Sequence, residues 1–260
     1  MGHIRLGWGL PQTRKWIQVV DLIENNADAA SVAAATLAAA KKGLAGAAED
    51  AALVRSFWLL TQLPICARAA DYAEALRSVG LSVSAAPSLI ELVGAFSDAV
   101  DSHVRHEGGR TDLGEMAQMG AAESLAADLG RRSQSLFGTT PEDVQHALAR
   151  LATPKQFSGL ARDFFARLTE RYLTYFLSRE LSKHIGQDRR FPDLEARSAF
   201  NDALSRHCQE ASKIVEEFAG GWFSKTAFET GITPEESAGF IHVALRKIQD
   251  EVAKGAVHGQ

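Results

Sequence analysis

PKQFSGLARDFFARLTERYLTYFLSRELSKHI, residues 154–185, decides the fold class. Leu160, Phe164, Leu168, Tyr172, Tyr175 and Phe176 recur at steps of three and four, so in a helix they share one face, which is expected in a core. The stretch opens on Thr153-Pro154, a threonine suited to cap backbone amides followed by a proline suited to the first helical position. The same signal recurs at Thr140-Pro141 and Thr233-Pro234. Gln156 and Glu236 stand three residues after their threonines, where a capping box places them.

Outward from this stretch the pattern stays helical. Alanine, the strongest helix former, dominates Asp28 to Lys42 and Ala45 to Ala52. Helices are expected near 12–25, 28–46, 49–63, 69–79, 88–106, 112–129, 141–151, 154–185, 194–219 and 234–254. The fold class is therefore all-α, a bundle of about ten helices without a significant sheet. Gly2 to Leu6 and Leu81 to Ser84 are the best strand candidates, and both are too short to anchor one. No repeat appears at solenoid periods. The 260 residues suit one helical domain over 1–260, with a two-lobed split at Gly108-Gly109 (1–107 and 110–260) as the alternative.

A hydrophobic fraction of 46% with 23% charged residues describes a folding chain that needs neither cofactor nor disulfide. Cys66 and Cys208 are too few for a disulfide framework or a structural zinc site and read as buried small hydrophobes. The start lacks the apolar run of a signal peptide, and Leu6 stands where a myristoylation signal wants Ser or Thr, so a cytoplasmic protein is expected. Ala29 to Ala40 falls short of the roughly 20 residues that span a bilayer. A net charge of −4 argues against a global basic field for nucleic acid but permits a local patch.

The familiar catalytic strings are missing. There is no phosphate-binding loop, no nucleophile elbow and no zinc-protease helix. Gly7-Trp8-Gly9 begins like a dinucleotide fingerprint but meets Gln12 where the third glycine belongs. Asp143-x-x-His146 is half of a helical di-metal motif, and its other half is absent. No metal or cofactor is expected.

Three regions remain as candidate sites. In the N-terminal segment, Arg5, Trp8, Arg14, Lys15 and Trp16 mix cations with aromatics, as partner-binding or strand-binding surfaces do; the plainer reading is an arm stapled to the bundle by its tryptophans. His103 and His106 at one helix end, with Arg110, Thr111 and Asp112 at the next helix start, suit an anion beside free amides; helix-end histidines and an ordinary N-cap explain them equally. Gly220 to Phe228 reads as an aromatic loop in which Trp222, Phe223 and Lys225 face a partner or plug the core, with Glu216 and Glu217 as a polar wall. Arg131-Arg132 and Asp188-Arg189-Arg190 read as solvated charge.

The resulting expectation is a non-catalytic helical subunit or adaptor of a bacterial-type intracellular assembly, acting through protein partners. The alternatives are an enzyme or small-ligand sensor sited between His103 and Asp112, and, less favoured, a nucleic-acid accessory using the basic arm. Alanine-rich helix surfaces also suit a homo-oligomer, because small residues let helices approach closely.

Overall fold

The computed structural model describes residues 10–107, 109–132 and 140–258. Among them the chain forms α1 (Arg14–Glu24), α2 (Ala29–Ala45), α3 (Ala51–Cys66), α4 (Tyr72–Ser78), α5 (Leu89–Glu107), α6 (Asp112–Arg132), α7 (Pro141–Leu151), α8 (Pro154–Lys183), α9 (Leu194–Ala211), α10 (Lys213–Glu229) and α11 (Pro234–His258). The fold is an all-α multi-helix bundle, and the one β feature among the described residues is an isolated bridge between Ile185 and Phe191. Leu81 to Ser84 is not a strand; Leu81 and Val83 are buried behind α4, where Arg77 Nε donates to Val83 O at 3.0 Å.

Local chemistry sets the helix starts. Asp28, Asp50, Asp71 and Asp193 each accept a backbone N–H three residues on, satisfying amides that the helix itself leaves unbonded. All three Thr-Pro pairs begin helices, but their caps differ from the expected boxes. Thr140 and Asp143 form a reciprocal capping box. The Thr153 hydroxyl instead donates to Arg150 O at 3.2 Å and caps no amide of α8, while Thr233 accepts Glu236 N–H at 3.2 Å. The expected helix 194–219 is broken at Ser212, a fully buried residue that separates α9 from α10.

Helix α8 runs through the middle of the bundle and packs against α6, α7, α9 and α10. Its buried set is therefore wider than the single stripe read from the sequence: Phe157, Phe165, Leu173 and Leu177 are buried along with Leu160, Phe164, Leu168 and Tyr172, while Tyr175 and Phe176 are half-buried. Buried side chains from Leu10 to Val252 form one continuous cluster. At its centre Phe57 of α3 stacks on Phe240 at 5.0 Å and on Phe164 at 5.7 Å, a geometry worth more than area burial alone.

Arg190 corrects the reading of residues 188–190 as solvated charge. Its guanidinium donates to Leu22 O, Ile23 O and Ala27 O at the end of α1 and lies 4.7 Å from the Phe200 ring. A planar fork of donors suits the unsatisfied carbonyls of a helix C-terminus, and the adjoining ring faces favour the cation.

Candidate functional site

Residues 220–228, read from the sequence as a loop, lie inside α10. Two glycines weaken a helix in isolation, but here the first is required by packing: a Cβ on Gly220 would sit 2.5 Å from Pro154 O, so only glycine lets α10 approach the start of α8 this closely. A Cβ on Gly221 meets nothing. Phe223 is buried and stacks on Phe157 at 4.1 Å, which removes it from the partner-binding set. Lys225 is exposed and 4.0 Å from Glu229. Glu216 pairs with Arg162 at 3.1 Å, and neither it nor Glu217 lines the groove beside Trp222.

Trp222 is half-buried. One side of its ring meets Phe240 at 4.4 Å and Phe57 at 5.9 Å. The remainder lines an open groove of about 390 Å³ between α10 and α11, with Phe218, Phe240 and Val243 and the exposed Gly239, Glu235 and Glu236 also lining it. Hydrogen bonds from its own backbone N–H and the Thr233 hydroxyl hold the Glu235 carboxyl below the ordinary range, so this part of the lining is anionic at neutral pH. Lys247 stands 5.7 Å from the Phe218 ring. The turn joining the helices is anchored from α3, where Trp58 Nε1 and Gln62 Nε2 donate to Ile232 O at 2.8 and 3.1 Å. Sequence reasoning missed Phe218, Gly239 and Phe240, because the groove exists only when α10 and α11 pair.

The N-terminal candidates divide. Arg5 and Trp8 lie outside the described residues. Trp16 is buried against Phe176 at 4.9 Å and is a core staple, not a partner anchor. Arg14 is exposed, and Lys15 Nζ donates to Ala38 O at 3.2 Å, tying α1 to α2.

The His103 to Asp112 corner is an internally satisfied joint, which corrects the anion-site reading. Arg110 pairs with Asp101 at 2.6 Å, and Asp101 also accepts Gln118 Nε2 at 2.9 Å. Thr111 donates to Asp50 and caps Gly114 N–H at 2.8 Å. Asp112 accepts the Tyr175 hydroxyl at 2.6 Å, and His106 Nδ1 lies 2.7 Å from Ser102 O of its own helix. Burial, reinforced by the Arg55 charge, pushes the His103 imidazole below its ordinary pKa of 6.5. The Arg110 cation is thus engaged by α5, the Asp112 carboxylate by α8 and the Thr111 hydroxyl by Asp50, the cap of α3.

A polar concavity unread in the sequence lies where α7 meets the end of α3. It is an open depression of about 890 Å³ lined by Arg68, His146, Arg150, Asp143, Thr153 and Gln156 among others. Arg68 Nε donates to Ala149 O at 3.0 Å, and Gln145 Nε2 donates to Ala67 O at 3.3 Å, so α3 and α7 are clamped in both directions. The one signal visible beforehand was His146 and Arg150 at helical spacing; Arg68 lies 78 or more residues upstream of them and joins only in three dimensions.

Cys66 and Cys208 are free, buried thiols, which burial pushes up to about 11 and about 12. Among the described residues no group of three or more His, Cys, Asp and Glu side chains is placed to hold a metal ion, and no helix is long and apolar enough to cross a membrane. Comparison with known proteins returns no matching family model, no matching curated protein and no matching solved structure.

Proposed function

We propose that the protein is a non-catalytic helical subunit or adaptor that docks an amphipathic helix of a partner protein in the groove between α10 and α11. The groove carries this reading: half-buried Trp222 and Phe218 flank an exposed glycine at position 239, so an apolar anchor from outside meets aromatic rings already held in place from behind by Phe57 and Phe240. Aromatic residues backed by a rigid core lose little entropy on binding and are frequent anchors of interfaces. Charge complementarity to Glu235 and Glu236 selects a partner helix with Lys or Arg beside its apolar anchors, the helix-in-groove mode of recognition. The same reading sets the protein in the cytoplasm, where free thiols stay reduced. The remaining exposed large hydrophobics, such as Ile90 and Phe228, are ordinary single surface residues.

The test is selection of displayed helical peptides on the full-length protein, with the Gly239→Phe variant in parallel. Gly239 lines the groove and a Cβ there meets nothing within 4 Å, so the phenylalanine adds bulk at the groove without displacing the core. Peptides with bulky apolar residues at helical spacing and adjacent basic residues, bound by the native protein and lost in the variant, are the expected result. Peptides that are acidic, or that bind the variant equally well, overturn the proposal. So does a native dimer in sedimentation equilibrium that Gly239→Phe dissociates, which would assign the groove to a second copy of this chain.

A further inference from the structure

The concavity between α3 and α7 stands apart from the docking groove and shares no lining residue with it. Three cationic or cation-forming side chains reach it from two elements: Arg68 just beyond the end of α3, and His146 and Arg150 from successive turns of one face of α7. Among the described residues Arg68 and Arg150 have no carboxylate partner, unlike Arg77, Arg110, Arg162 and Arg167, which are each paired with an acid. The one carboxylate in the lining, Asp143, is committed elsewhere: it accepts the backbone N–H of Thr140 at 3.0 Å and its hydroxyl at 2.9 Å to complete the cap of α7. Those bonds, with a smaller contribution from the His146 charge beside it, hold its carboxyl below the ordinary range.

Arg68 is also pre-set. Its Nε donates to Ala149 O at 3.0 Å, which orients the guanidinium and leaves the terminal nitrogens for a ligand. Two guanidinium groups, one from the turn after α3 and one from α7, with an imidazole lining the same concavity, suit an oxyanion whose terminal oxygens point in several directions. At about 890 Å³ the space exceeds what an inorganic ion fills and matches a metabolite-sized ligand. We infer that this concavity is a binding site for a small phosphomonoester, with Arg68 and Arg150 holding the phosphoryl oxygens, His146 adding a third donor, and the rest of the molecule lying toward Thr153 and Gln156.

Titration calorimetry on the full-length protein, with inorganic phosphate and glucose 6-phosphate as probes, tests the assignment. The expected result is saturable binding of both at millimolar concentration or tighter, with the sugar phosphate the stronger. Arg150→Gln, at an exposed position outside the core, should weaken both by roughly tenfold or more, the loss of a charge-assisted hydrogen bond. Arg68→Gln should do the same, and circular dichroism separates its ligand effect from loss of the α3–α7 clamp. Arg110→Gln, which alters a cation outside the site, should leave binding unchanged. Three results overturn the inference: no saturable heat with either probe, equal affinity in the native and Arg150→Gln proteins, or displacement of glucose 6-phosphate by a short single-stranded oligonucleotide that binds the same arginines more tightly. Because Gly239 lies outside the concavity, the Gly239→Phe protein retains phosphate binding whether or not the docking reading survives.

Discussion

Gly220 and Gly221 are neighbours in the sequence, both inside α10, and the structure predicts that replacing each with alanine shifts stability in opposite directions. Alanine is favoured over glycine in a helix interior by about 1 kcal/mol, and that gain applies at both positions. At 221 nothing opposes it, since the new Cβ enters open space. At 220 the Cβ would stand 2.5 Å from Pro154 O and 2.7 Å from Ser158 Oγ. Neither neighbour is free to swing away, because Pro154 O is backbone and already accepts the Ser158 hydroxyl at 2.9 Å. Relief requires α8 and α10 to separate, which loosens the Phe157–Phe223 stack at 4.1 Å; overpacking of this kind costs about 1–3 kcal/mol. Gly221→Ala should therefore gain about 0.5–1 kcal/mol and Gly220→Ala lose about 1 kcal/mol, a gap of about 2 kcal/mol, or several degrees in Tm at this chain length. Urea unfolding followed by far-UV circular dichroism reads the difference directly. A Gly220→Ala protein as stable as Gly221→Ala would refute the close approach of α8 and α10, and with it the placement of Trp222 in the groove.

Arg190→Lys should cost about 2 kcal/mol, because an ammonium group cannot reproduce the fork that spans Leu22 O, Ile23 O and Ala27 O; a urea midpoint matching the native one would remove the clamp from the account of α1. The pH response follows from His103, whose folded-state pKa lies below its ordinary value of 6.5, first through burial and then through Arg55. Below 6.5 the unfolded chain takes up a proton that the folded chain resists, so stability present above that pH is lost as pH falls through the folded value. His103→Gln should flatten the decline of the urea midpoint between about pH 7.5 and 5.5, and an unchanged slope would assign the effect to other groups.

The helical class and most helix starts were legible in the sequence because their causes are local. A Thr-Pro pair, an aspartate three residues ahead of an amide, and an alanine run all act within one or two turns, and α7, α8 and α11 begin at their prolines as those signals indicate. The core role of α8 was legible in part: its periodicity placed Phe164 and Leu168 in a core but not Phe165 and Leu173, since how many neighbours surround a helix is not written in its own period.

The candidate sites were legible only as residue types. Trp16 and Trp222 look alike in the sequence, yet one is buried on Phe176 and the other lines a groove, because α8 covers the first while the gap between α10 and α11 opens beside the second. Arg110 and Arg150 are both arginines near helix ends; Asp101 engages the first, and no carboxylate among the described residues engages the second. Composition and local spacing thus determined that this chain is a bundle of helices and where most of them begin. The packing alone decided which glycine is required, which charges are spent and which concavities remain, because those depend on atoms brought together from as far apart as Trp58 and Ile232, 174 residues along the chain.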